Sequence, residues 1–135
     1  MRGGYGAAAI TLAKRGASVV IADRDLLALT YARINGRTHG VMLEERPALW
    51  LPDALTEPFK LVVGELSSSA GDDVARAEMQ AATTRLPARS EVLWLTLTKH
   101  ASTWLQPVSP RDPVLTTRLA TRGAWSVLRM SPRGA

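Results

Sequence analysis

Apolar and polar positions along the first half of the chain fall into blocks that read as helix, strand, helix and strand in turn. From Gly6 to Arg15 the residues are strong helix formers with apolar positions at Ile10, Leu12 and Ala13, and Gly16 supplies a stop. Ser18 to Ala22 is a nearly all-apolar, β-branched run, the pattern of a strand buried on both faces of a parallel sheet, and Asp23 closes it. Asp25 is placed to cap a helix reaching about Ile34, with Leu26, Leu29 and Ala32 or Arg33 on successive turns and the Asn35-Gly36 pair at its end. Beyond it Gly40 to Leu43 fits either a strand or a loop. Ala48 to Leu51 reads as a short strand ended by Pro52, with Asp53 just after it, and Lys60 to Gly64 is a further apolar run followed by Glu65.

The second half continues the alternation. Ser67 to Gly71 is a polar loop, and Asp72 or Asp73 is placed to cap an amphipathic helix over Val74 to Leu86. Pro87 to Ser90 is a turn, and Glu91 to Thr98 carries the strongest strand pattern in the chain, with Trp94 expected in the core rather than as a base-stacking platform. Lys99 to Leu105 fits a short helix, and the prolines at Pro107, Pro110 and Pro113 stiffen the connection that follows. Val114 to Thr121 and Trp125 to Met130 then flank Arg122-Gly123 as a hairpin.

Length and composition narrow this picture. With 135 residues, 46% of them apolar and 21% charged, the chain fits one soluble domain with a single core. No apolar run approaches the roughly 20 residues of a bilayer helix, and the N-terminus does not read as a signal peptide, so a cytoplasmic location without membrane association is expected. Cysteine is absent, which excludes disulfides and thiolate chemistry, and His39 and His100 lack a metal-ligand spacing. The net charge of +5 is concentrated at the C-terminal end: residues 1–84 hold 9 Lys/Arg against 10 Asp/Glu, and residues 85–135 hold 8 against 2. Such a bias suits a polyanion such as RNA, and equally a plain solvated basic surface.

The candidate chemistry starts at the glycines. Gly3, Gly4 and Gly6 precede a helix, and such glycines let a backbone turn pass close to a ligand beside the helix N-terminus. An acid after the next strand, Asp23, is placed to accept ribose hydroxyls. If the strands form one parallel sheet, their carboxyl ends share an edge, and Asp23, Asp53 and Glu65 are expected to converge there; the competing explanation is that strand-to-helix loops use Asp and Glu as turn formers.

These residues resemble the class I S-adenosylmethionine-dependent methyltransferases, and among them the small ribosomal RNA guanine-N2 methyltransferases. Gly4-Tyr5-Gly6 and its Ala-rich helix look like the end of the family's glycine motif, Asp23 matches its ribose-binding acid, and Asp53 falls where an adenine-contacting residue stands. KLVVGEL stands where the family has a strand and an Asn-Pro-Pro-Phe motif, EVLWLTLTKH resembles its fifth strand, and RGAWSVLRMS its terminal hairpin strand. The resemblance implies an α/β, Rossmann-like fold: a mostly parallel sheet of seven strands, helices on both faces, and a C-terminal antiparallel hairpin. It also implies S-adenosyl-L-methionine as cofactor, Gly3, Gly4, Gly6, Asp23 and Asp53 as its site, Glu65 facing the acceptor amine, and ribosomal RNA as partner. Two departures stand out. The family's first strand and its leading acid would precede Met1, with Arg2 at the first glycine position, and Glu65, Leu66, Ser67 and Ser68 replace Asn-Pro-Pro-Phe.

Two rivals follow. A methyltransferase-like binding module without catalysis is motivated by those departures. A short-chain dehydrogenase using NAD is suggested by the opening stretch alone, but it needs a Tyr-x-x-x-Lys pair, and neither Tyr5 nor Tyr31 has a lysine four residues on.

Overall fold

The computed structural model describes residues 4–65, 71–87, 90–106 and 114–132. The chain divides into two compact units, residues 1–54 and 55–135.

The first unit begins with helix α1 (Ala7–Lys14), stopped by Gly16 at φ +88° as its sequence suggests. Strand β1 (Val20–Asp23) follows, then helix α2 (Leu26–Thr38), strand β2 (Glu44–Pro47) and one helical turn, α3 (Leu51–Ala54). β1 and β2 pair in parallel, from Val20 opposite Glu44 to Asp23 opposite Pro47. α2 packs on both strands, α1 packs on α2, and α3 packs on β1. Ile21, Leu29 and Ala32 form the core, with Ala9 and Leu43 against it.

Three expectations are corrected in this unit. α2 runs through Asn35 and Gly36 instead of ending there. A side chain at Gly36 would lie 3.2 Å from the Val41 carbonyl oxygen, so that glycine serves close packing, and the chain turns at Gly40, φ +72°. The second strand is Glu44–Pro47, not Ala48 to Leu51, and Gly40 to Leu43 is loop around the end of α2. An edge strand of a two-stranded sheet needs no apolar run, and the polar Glu-Glu-Arg-Pro hides the strand pattern. Asp53 therefore sits within α3 rather than at a strand's end.

The second unit holds β3 (Leu61–Glu65), α4 (Asp72–Arg85), β4 (Glu91–Leu97), α5 (Thr98–Leu105), β5 (Val114–Arg122) and β6 (Trp125–Pro132). The sheet order is β3-β4-β6-β5, with β3 and β4 parallel and the other two pairings antiparallel. The expected hairpin is present. Val62, Val92, Trp94, Thr96, Leu128 and Met130 lie on one face and are buried, with α4 and α5 packed against the sheet. Trp94 is core, as expected, and explains Gly64: a Cβ there would overlap the indole ring. α4 starts without a side-chain cap, from Gly71 at φ +85°, so Asp72 and Asp73 occupy its first turn instead of capping it. The triple-serine loop, the Pro107 to Pro113 connection and the middle of the Pro87 to Ser90 turn lie outside the described residues.

The described residues thus form six strands, a parallel pair and a four-stranded mixed sheet that ends in the antiparallel hairpin, the number expected with the family's first strand preceding Met1. Among them no helix is long and apolar enough to cross a membrane, and no group of three or more His, Asp or Glu side chains could hold a metal.

Candidate functional site

The site grows from the turn that leads into α1. Gly4 has φ +58° and Gly6 has φ +89°, both in the left-handed region that favours glycine. Gly6 is fixed a second way, because a Cβ on it would lie 3.1 Å from the Ala32 Cβ and 3.2 Å from the Ala32 Cα. The turn therefore rests directly on the backbone of α2. Gly4 differs: a Cβ there would meet nothing within 4 Å among the described residues, so the backbone is open at this residue. The first turn of α1 carries neither a side-chain cap nor an acid, leaving its N–H groups without a side-chain acceptor.

Asp23 locks this turn to the sheet. It ends β1 only 2% exposed; its Oδ2 accepts the Gly4 N–H at 3.3 Å, and its Oδ1 accepts the Asp25 N–H at 3.0 Å. Asp25 in turn caps α2, its Oδ1 accepting the Leu27 and Ala28 N–H groups at 2.9 and 3.2 Å. The Asp23 carbonyl accepts the Ala48 N–H at 3.0 Å, tying the segment after β2 to the end of β1. One acidic pair thus organises the turn, the helix start and the strand ends.

A third support was not legible in the sequence. Tyr31, Ala32 and Asn35 present one side of α2 to the turn. The Asn35 amide Nδ2 donates to the Tyr5 carbonyl at 3.0 Å, Ala32 lies under Gly6, and the Tyr5 and Tyr31 rings meet edge to face, centroids 5.8 Å apart. Thirty residues separate Asn35 from Tyr5, and nothing local announces the bond. The only available signal is an asparagine inside a helix, where its intrinsic preference is poor and an outside partner is a reason for it to be there.

The other expected residues fall as follows. Asp53 is exposed on α3, which the Arg46 Nη1 holds through the Ala54 carbonyl at 3.0 Å while Arg46 also pairs with Glu44 at 2.6 Å. Within the first unit Asp23 is thus the last residue of β1, and Asp53 lies in the helical turn that comes after the end of β2. Glu65 is the half-buried last residue of β3, opposite Leu95, in the second unit. Gly3 and residues 66–70 lie outside the described residues.

This arrangement has the chemistry of a nucleoside cradle. Each Asp23 oxygen accepts a backbone N–H, and a carboxylate at the end of such a strand is the kind of acceptor that ribose hydroxyls use. The Gly4 backbone is open beside it, and the uncapped start of α1 adds N–H donors. These features fit a ribose-bearing ligand such as S-adenosylmethionine.

No family model and no curated protein matches the sequence. Solved structures do. A ribosomal protein L11 methylase of Lactobacillus delbrueckii subsp. bulgaricus aligns with a TM-score of 0.78 at 19% identity, over 97% of this chain and 66% of that one. An rRNA methylase of Streptococcus thermophilus aligns at 0.71 with 15% identity, over 97% and 82%. A T. thermophilus 16S rRNA N2 methyltransferase, solved with AdoMet and guanosine, aligns at 0.75 with 22% identity, over 96% and 35%. The chain therefore has the class I S-adenosylmethionine-dependent methyltransferase fold, and it spans about two thirds of the first of these structures and about one third of the last.

Proposed function

We propose that this chain binds S-adenosyl-L-methionine at the Gly4–Gly6 turn and directs its methyl group to an amine nitrogen of RNA, with guanine N2 of ribosomal RNA as the acceptor. The observation that carries the reading is the Asp23 lock: a buried acid at the end of β1 holding a positive-φ glycine turn that opens a helix, within a methyltransferase fold. In this reading Asp23 accepts ribose hydroxyls, Gly3, Gly4 and Gly6 let the backbone approach the ligand, and Asp53 contacts the adenine. When bound, the cofactor supplies an electrophilic methyl on a sulfonium, and the C–S bond breaks as the N–C bond forms. The chain's task is then positioning, which can lower such a barrier by about 7–11 kcal/mol when the reactants are well aligned. Glu65 accepts a hydrogen bond from the acceptor amine and helps draw off its proton as the nitrogen becomes alkylated. The T. thermophilus neighbour, crystallised with AdoMet and guanosine, supports both cofactor and acceptor class.

A second reading, binding without transfer, is favoured by Glu65, Leu66, Ser67 and Ser68 standing where the family carries Asn-Pro-Pro-Phe. Titration calorimetry with S-adenosylmethionine, S-adenosylhomocysteine and NAD, paired with radiolabelled methyl transfer to guanosine-containing RNA, separates the two. Binding with turnover, abolished by Glu65→Ala at unchanged cofactor affinity, is the expected result. Binding without turnover selects the second reading, and binding of NAD alone removes both.

A further inference from the structure

The β5–β6 hairpin is more basic and more exposed than the end of a sheet requires. Residues 114–132 contain Arg118, Arg122 and Arg129 and no acid. Arg129 pairs with Glu91 at 3.3 Å, whereas Arg118 and Arg122 are exposed and have no ion-pair partner among the described residues. Trp125 is 41% exposed and is the cross-strand neighbour of Arg122, so a cation and an aromatic ring are displayed side by side. Arg118 pairs opposite Leu128 and so lies on the other face of the hairpin, next to the 52% exposed Leu119 at the register shift of the edge strand β5.

The tip is also held rigid. Gly123 turns it at φ +57°, the Thr98 N–H donates to the Ala124 carbonyl at 2.8 Å, and the Thr98 hydroxyl donates to the Gly123 carbonyl at 3.3 Å. The buried Ser126 hydroxyl joins Thr98 at 3.1 Å and Thr121 at 3.0 Å. A surface fixed before binding loses less conformational freedom on binding.

We propose that this hairpin is a docking surface for single-stranded RNA, with Trp125 stacked on a base and Arg122 on a phosphate on one face, and Arg118 on a further phosphate where the flexible RNA strand passes round the edge of β5. Guanidinium groups match phosphate oxygens, and an indole face takes any base, so the surface confers affinity without sequence choice. A protein strand added along the free edge of β5 fits less well. The register shift between Arg118 and Ala120 interrupts the ladder, and exposed arginines on an edge oppose strand addition. The inference rests on the RNA reading above and assigns it a surface in the second unit.

The test uses the full chain and a fluorescein-labelled, unstructured RNA oligonucleotide, with anisotropy measured across a salt series. Replacing Arg118 and Arg122 together by Ala is expected to weaken binding at least tenfold and to flatten the salt dependence by a slope of about 1.4, two phosphate contacts at about 0.7 each. Trp125→Ala is expected to weaken binding roughly tenfold with the slope unchanged, and Trp125→Phe to restore most of it. S-adenosylmethionine affinity, measured in parallel, should stay at the parent value in every variant, which also shows that each is folded. If the parent binds RNA and the variants bind it equally well, the hairpin is not the surface although the RNA reading stands. If the parent binds S-adenosylmethionine but no RNA, both fall. A parent chain that dimerises through β5 in place of binding RNA also overturns the proposal.

Discussion

Two glycine turns in this chain are pinned by polar side chains from elsewhere, and they are pinned from opposite sides. At Gly4 the pinned group is a backbone N–H, held by the Asp23 carboxylate, while Asn35 takes the next carbonyl. At Gly123 the pinned groups are carbonyls, held by the N–H and hydroxyl of Thr98. The first turn is left with a buried acid beside it, an acceptor for hydroxyl donors. The second is left with Arg122 and Arg118, donors for anionic acceptors. Rigidity comes from the same kind of bond in both, and the ligand class follows from the charge that pinning leaves over. A nucleoside's ribose suits the first and an RNA backbone suits the second.

The largest test of this contrast is Asp23→Ala. It removes the acceptor that the Gly4 and Asp25 amides share, two half-buried hydrogen bonds to a carboxylate that contribute about 1.5–3 kcal/mol each. Cofactor affinity, which under our reading uses the same carboxylate, is expected to fall about 100-fold or more by calorimetry, some 2.7 kcal/mol, while RNA binding through the hairpin persists in whatever fraction remains folded. Retained cofactor affinity would show that the acid only builds the turn.

Next in size is Gly6→Ala, which forces a side chain into φ +89° and against Ala32. The left-handed conformation alone costs about 1–2 kcal/mol, and the close approach adds to it, so the midpoint of thermal unfolding should drop by several degrees. Gly4→Ala sharpens the comparison. Space is open there, so its effect on stability should be smaller, and its effect on cofactor affinity should exceed what stability explains. Equal losses in the two variants would mean that Gly4 faces no ligand.

How far the sequence carried depended on whether the cause was local. α1, β1, β3, β4 and the hairpin were legible because their apolar runs and glycine stops lie within each element. β2 was not, since Glu44 to Pro47 pairs through its backbone and needs no apolar face at a sheet edge. Gly36 was misread because a glycine tolerated for close packing looks the same as one that ends a helix, and only the Val41 carbonyl beside it tells them apart. At the site, Asp23 and the glycines were legible from order along the chain. The Asn35 bond and the Tyr5–Tyr31 contact were not, because they join segments about thirty residues apart.

Asn35→Ala measures how much that unannounced bond matters. It removes one exposed hydrogen bond worth about 1 kcal/mol, so cofactor affinity should fall roughly fivefold, while the better helix propensity of Ala within α2 offsets most of the loss in melting temperature. No change in affinity would mean that Ala32 and Asp23 suffice to hold the turn.

The smallest effect is expected at Thr98→Val, and it probes the second turn in isolation. The substitution keeps the backbone N–H that holds the Ala124 carbonyl and removes the hydroxyl shared with the Gly123 carbonyl and Ser126. Ser126 keeps Thr121 as a partner, so no buried group is stranded and the cost should stay at about 0.5–1 kcal/mol. Amide exchange at residues 122–125 should quicken, and RNA affinity should weaken about two- to fivefold with an unchanged salt slope, because Arg118 and Arg122 remain and only their pre-positioning is lost. A lowered slope would instead mean that the arginines themselves had moved off the phosphates, and that the hydroxyl network aims the charges rather than stiffening the tip.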